Sequence, residues 1–187
     1  MESIILASQS PRRKQLLEWA NINFSIIVAY TEENFPNNIS FNEVPIFIAN
    51  EKAKAVQQKV SEKNKIIIAA DTIVVLDNKI LGKPQNREEA ISSLLLLSNK
   101  THQVITGVVL LKDEIEICFS ETTNVEFHEL TQEQIEFYVD EYKPYDKAGG
   151  YAIQEWIGVV GIKKINGCYY NVMGLPISRV VQELEKL

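Results

Sequence analysis

The chain has little of what most metal, redox and scaffold chemistries need. Its 187 residues include only two cysteines and two histidines. Cys118 and Cys168 lie far apart without metal-ligand spacing, so they read as reduced thiols, with a disulfide the minor alternative. His102 and His128 have no Cys or His partner at zinc spacing, which argues against a tightly held zinc. No run of about 18 apolar residues is present to span a bilayer, and no basic stretch followed by an apolar one opens the chain. The expected address is cytoplasmic, with no membrane partner. Positive charge is also scarce: 19 Lys and Arg against 25 Asp and Glu leave a net charge of −6. A surface that coats nucleic acid needs a broad basic field, so nucleic acid is not expected as a partner. Both the dinucleotide-binding and the P-loop glycine signatures are missing.

What remains is an ordinary globular composition, 45% hydrophobic and 24% charged, which suits one domain over residues 1–187. Ser3 to Leu17, SIILASQSPRRKQLL, organises the reading. Ile4 to Ala7 predicts a buried strand, Ser10 a helix N-cap and Pro11 the first helical position. Arg12 and Arg13 then fall in the first turn, where the helix dipole disfavours each cation by roughly 0.3–1 kcal/mol. A bound anion would compensate. The first-turn N–H groups, the hydroxyls of Ser8 and Ser10 and two guanidinium forks suit a phosphate chain. The alternative is a solvated turn whose arginines pair with acidic neighbours.

Asn23–Ala29 reads as a second strand and Tyr30–Asn42 as a loop carrying Glu32 and Glu33. Asn42–Glu62 reads as a helix with Ala49, Ala53, Val56 and Val60 on one face and Lys52, Lys54 and Lys59 off it. Lys65–Leu76, KIIIAADTIVVL, reads as one buried strand or two nearly continuous ones. Its lone carboxylate, Asp71, must be paired, hydrogen-bonded, coordinated to a cation or poised at a cleft. Asp77–Lys79 signals a turn, and Gly82-Lys83-Pro84 a loop in which Lys83 is either a phosphate contact or a plain surface lysine.

Asn86 and Glu89 have capping-box spacing ahead of a helix whose Ile91, Leu94 and Leu95 are expected to face the core. Thr101–Lys112 and Glu114–Glu129 read as an antiparallel pair about Asp113. Thr131 and Gln134 cap a helix through about Tyr142. Pro144, Gly149 and Gly150 mark a loop expected to run into a strand, and Asn166-Gly167 a two-residue hairpin. A last helix with Ile177, Val180, Val181 and Leu184 on one side closes the core. Together these elements predict a mixed α/β fold with a twisted central sheet flanked by helices. Any metal would be a hard cation held by oxygen and brought in with phosphates.

Six blocks carry a resemblance. LASQSPRR (6–13), NEKAKA (50–55), AADTIVVLDNKILGKP (69–84), THQVITGV (101–108), YDKAGGYAIQ (145–154) and INGCYYNVMGLP (165–176) resemble the Maf family, in family order and over nearly the whole chain. The resemblance implies a fold like that of Maf and inosine triphosphate pyrophosphatases. It also implies hydrolysis of a nucleoside triphosphate to the monophosphate and diphosphate, a divalent cation (magnesium, or manganese or cobalt) and a homodimer. Carried over by position, the phosphate loop falls on Ser8, Arg12 and Arg13 and the proton acceptor on Asp71. Glu33, Lys52 and Lys83 fall on the other polar catalytic positions, and Asp71 and Glu33 on the metal. Glu32 is the alternative to Glu33. Arg12, Thr72 and Gln154 match the branch that prefers dTTP and UTP. A Gln amide offers a donor and an acceptor to the O4 and N3–H of uracil or thymine. The sibling branch acting on 7-methyl-GTP, and a nucleotide-binding regulator of cell division without turnover, are the alternatives. Lys143 stands where an acidic residue is common and GGYAIQ where GAYGIQ is more frequent, departures that bear on substrate preference.

Overall fold

A computed structural model describes residues 3–187. Its elements run β1 (Ser3–Leu6), α1 (Pro11–Trp19), β2 (Phe24–Ile26), α2 (Glu43–Gln57), β3 (Lys65–Leu76), β4 (Lys79–Leu81), α3 (Arg87–Leu97), β5 (Thr101–Lys112), β6 (Ile115–Phe127), α4 (Gln132–Tyr142), α5 (Trp156–Gly161), β7 (Ile162–Asn166), α6 (Tyr169–Met173) and α7 (Ile177–Leu184). A short 3-10 turn, Ala148–Gly150, precedes α5. The sheet is mixed, as predicted: its order is β2-β1-β3-β5-β6-β7, with β4 also on β3. Strand β1 pairs parallel with β2 and β3, whereas β4 on β3 and β7 on β6 are antiparallel.

The chain divides into two compact units. The first comprises residues 3–71 with Thr106–Glu121 and Gly174–Leu187. Its core packs Ala49, Ala53 and Val56 of α2 on Ile5 and Ala7, on Ile67 and Ala69 of β3, and on Val109 and Leu111 of β5. Small residues let this helix lie close to the sheet. At Gly107 an added Cβ would stand 2.3 Å from the backbone of Pro45 and Ile46, so any other residue would lift the start of α2. Side chains alternate along a strand, so Ile67 and Ala69 put Asp71 on the α2 face of β3. The second unit comprises Thr72–Ile105 and Thr122–Met173, with α3 and α4 packed around Leu94, Leu97, Phe127, Ile135 and Tyr138.

Several local expectations hold. Ser10 caps α1 with Pro11 in its first turn, and Thr131 and Gln134 form a complete capping box on α4. Asp77 and Asn78 take φ of 49° and 58° in the tight turn joining β3 to β4. Strand β3 is one continuous strand of 12 residues.

Others are corrected. Strand β2 covers only Phe24–Ile26, and α2 stops at Gln57, before Val60. On α3, Leu95 is 47% exposed, and Ala90 and Leu97 join Ile91 and Leu94 in the core instead. Glu89 completes no reciprocal box, because its carboxylate accepts from the N–H of Gln85 rather than that of Asn86. Val181 is likewise exposed on α7. Residues 151–154 form no strand but turn into α5. Asn166-Gly167 is not a hairpin turn: only Gly167 has positive φ, at 131°, and α6 follows. The cause is Thr123, whose Oγ accepts from Cys168 N–H and Asn171 Nδ2 and donates to the Cys168 carbonyl. That hydroxyl satisfies the start of α6 locally, and a Cβ at Gly167 would stand 2.8 Å from it.

Candidate active site

The first unit carries six of the nine residues singled out above, and Lys52 joins two of them. Lys52, on α2, extends its ammonium to Asp71 Oδ1 at 2.7 Å and to Glu33 Oε1 at 2.9 Å. Asp71 is 8% exposed, so the carboxylate inside the apolar strand is a paired one. An isolated charge there would be strongly disfavoured. Of the two adjacent glutamates in the 30–42 loop, Glu33 reaches Lys52 and Glu32 instead accepts from Asn34 Nδ2 at 2.8 Å.

The end of β1 and the start of α1 supply the positive side. No acidic residue occupies the first turn of α1. Arg13 donates through Nε to the Gly174 carbonyl at 2.8 Å and through Nη1 to Ser8 Oγ at 3.3 Å. Ser8, itself buried, also accepts from the N–H of Ser10 at 3.1 Å. Burial lowers the Arg13 pKa and Arg12 lowers it further, while Asp71 and Glu33 oppose both. An arginine stays protonated under such pressure, so the result is a fixed cation in electrostatic reach of both carboxylates. The Gly174 carbonyl that holds it lies 161 residues away in sequence, beyond any local signal.

The Lys52 ammonium sits between Asp71 and Glu33, so a divalent cation would share these two carboxylates with it. Among the described residues no group of three or more His, Cys, Asp or Glu is placed to hold a metal. A donor set of two carboxylates suits magnesium, which keeps several waters and takes its remaining ligands from substrate phosphates. It does not suit a metal held by protein alone.

The second unit carries Thr72, Lys83 and Gln154. Thr72 follows Asp71 directly on β3 and is half-buried. Lys83 is exposed, between buried Pro84 and Gly82, whose carbonyl accepts from the Gly149 N–H at 3.0 Å. At Gly82 an added Cβ would meet nothing within 4 Å, so the backbone there is open. Gln154 is exposed on the turn before α5. Lys147 goes unmarked in the sequence because a loop lysine ordinarily lies in water. It is buried here, 2.7 Å from Asp146 and 3.5 Å from Glu155.

Residues 3–187 match the family described as Maf-like protein. A curated relative from Cytophaga hutchinsonii named dTTP/UTP pyrophosphatase is 51% identical over 184 residues, 98% of this chain and 84% of its own. One of the same name from Phocaeicola vulgatus is 49% identical over 185 residues, 98% of this chain and 95% of its own. Among solved structures, a HAM1 protein from Coxiella burnetii superposes over 100% of both chains with a TM-score of 0.55 and 17% identity, a likeness of fold.

Proposed function

The chain belongs to the Maf family, and we propose that it is a nucleoside triphosphate pyrophosphatase acting on dTTP and UTP. Water and the triphosphate give the nucleoside monophosphate and diphosphate, with cleavage of the anhydride between the α and β phosphoryl groups. The observation that carries this reading is the cluster in which Lys52 joins Asp71 and Glu33 within electrostatic reach of Arg13. A regulator that only bound nucleotide would need the cations but not the carboxylates.

In this reading Asp71 accepts the proton of the attacking water. Lys52 orients the Asp71 carboxylate, and Glu33 in turn bonds Lys52. Ser8, Arg12 and Arg13 take the phosphates, and with Lys83 they offset charge developing on the departing diphosphate. Thr72 and Gln154 are assigned to the base. Asp71 and Glu33 would hold a divalent cation, magnesium or else manganese or cobalt, which when bound lowers the pKa of a coordinated water and draws charge from phosphate oxygens. Residues 1–187 act as one catalytic domain, a reading supported by the family match over 3–187. A homodimer and a cytoplasmic address belong to the same proposal. No helix among the described residues is long and apolar enough to cross a membrane, and the net charge of −6 weighs against nucleic acid.

The test is turnover of dTTP, UTP, CTP, dATP, GTP and 7-methyl-GTP with and without magnesium, separating diphosphate from orthophosphate. Metal-dependent diphosphate release chiefly from dTTP and UTP is expected. Preference for 7-methyl-GTP would keep the chemistry and overturn the base assignment. Nucleotide binding without hydrolysis would overturn the enzymatic reading.

A further inference from the structure

Gln154 poses a chemical problem if it reads the base, as the proposed function holds. Uracil offers an O4 acceptor beside an N3–H donor, and guanine offers the same pair as O6 beside N1–H. A Gln amide complements both through hydrogen bonds alone. The two edges differ in how far they lie from the sugar, because a purine is one ring longer. A Gln154 that tells them apart must therefore be held at a fixed place.

The turn that carries it is closed three times over. The Glu155 N–H donates to the Ala152 carbonyl at 3.1 Å. The hydroxyl of Tyr138, a fully buried residue of α4, accepts from the Ala152 N–H at 3.2 Å and donates to Glu155 Oε2, touching both ends of the turn. The Ile153 carbonyl is seated against Gly158, where an added Cβ would stand 1.8 Å from its oxygen. Glu155 also occupies the N-cap of α5, where an acidic side chain would ordinarily accept helix N–H groups. It makes no such bond. Its carboxylate points instead to Tyr138 and to the buried Lys147.

We propose that Tyr138, with Glu155 and Gly158, positions Gln154 and so sets the selectivity for a one-ring base. Tyr138 touches no reacting atom in this reading; it acts through the Ala152–Glu155 turn. The inference rests on the proposed function, and its failure can be told from the failure of that reading.

The experiment compares kcat/KM for UTP with kcat/KM for GTP in the full-length protein and in Tyr138→Phe, Gly158→Ala, Gln154→Ala and the double variant Tyr138→Phe/Gln154→Ala. Tyr138→Phe and Gly158→Ala are each expected to lower the UTP-to-GTP ratio about tenfold. The loss should lie in KM for UTP, with kcat nearly kept, and the double variant should lose no more than Gln154→Ala alone. A purely structural tyrosine would lower stability and leave the ratio where it was. An unchanged ratio in Tyr138→Phe and Gly158→Ala, with selectivity lost in Gln154→Ala, overturns the positioning role. An unchanged ratio in Gln154→Ala overturns the parent assignment of the base contact. If Tyr138→Phe does not fold, Glu155→Gln carries the same comparison with the same outcomes.

Discussion

Lys52 Nζ lies 2.7 Å from Asp71 Oδ1, joining the long helix to the one carboxylate of the most apolar strand. Both side chains are largely buried. Removing one member strands the other, and for such pairs that costs about 3–5 kcal/mol, more than a well-packed apolar replacement of both. Lys52→Met and Asp71→Leu should therefore each lower the urea midpoint clearly, and Lys52→Met/Asp71→Leu should recover part of the loss. Additive losses would show that the pair is electrostatically idle. All three variants should be without turnover.

Asp71→Asn separates chemistry from folding. The amide keeps the shape and a hydrogen-bond acceptor for Lys52 but takes no proton from water. Turnover of UTP is expected to fall by about 10²–10⁴, with far-UV circular dichroism unchanged. Full activity in a folded Asp71→Asn would remove Asp71 from the reaction.

The two glutamates of the 30–42 loop give a paired control. Glu33 bonds Lys52 and Glu32 bonds Asn34, so only the first is tied to the cluster. Glu33→Gln should cut kcat at least tenfold, on the order of one charged hydrogen bond, and raise the magnesium concentration for half-maximal rate. Glu32→Gln should leave both within about twofold, the scale of a solvated surface charge. The reverse pattern would shift the functional position by one residue.

How much of this was legible in the sequence depends on how local each interaction is. Ser10, Pro11 and the Thr131–Gln134 box were readable because caps are decided within four residues. Asp71 was readable because a lone carboxylate in KIIIAADTIVVL has few affordable states. The helix at Tyr169 was not, because Thr123, 45 residues away, supplies the hydrogen bonds that turn the chain at Gly167. Leu95 misled because a run of four leucines at 94–97 has no periodicity to mark its buried face. The Gly174 carbonyl on Arg13 and the Tyr138 hydroxyl under Gln154's turn are tertiary contacts of groups with no sequence pattern.

His102 gives the fold a pH dependence independent of the site. It is 1% exposed, its Nε2 is 2.7 Å from the Tyr151 hydroxyl and its Nδ1 has no partner. Burial pushes its pKa down from 6.5 to about 4. The unfolded chain takes up this proton below about pH 6.5 and the folded chain only near pH 4, so the contribution is complete above pH 6.5 and lost between the two. The span corresponds to roughly 3 kcal/mol. Urea titrations from pH 7.5 to 4.5 should show His102→Leu losing much less stability than the parent over that range. Parallel curves would show that the buried ring titrates normally.

Arg13 separates the fork of a guanidinium from its charge. One of its nitrogens is committed to the Gly174 carbonyl and another to Ser8, which sets the plane of the group and aims the cation. Lysine keeps the charge but offers a single tetrahedral donor centre, which cannot serve both partners in that geometry and also grip a phosphate. Arg13→Lys should therefore raise KM for UTP about tenfold, and Ser8→Ala should raise it in the same direction by freeing one prong. If charge alone mattered, Arg13→Lys would bind UTP as the parent does and lose affinity with added salt along the same line. A KM unchanged by Arg13→Lys at both low and high ionic strength would reduce the fork at the start of α1 to a structural clamp on Gly174.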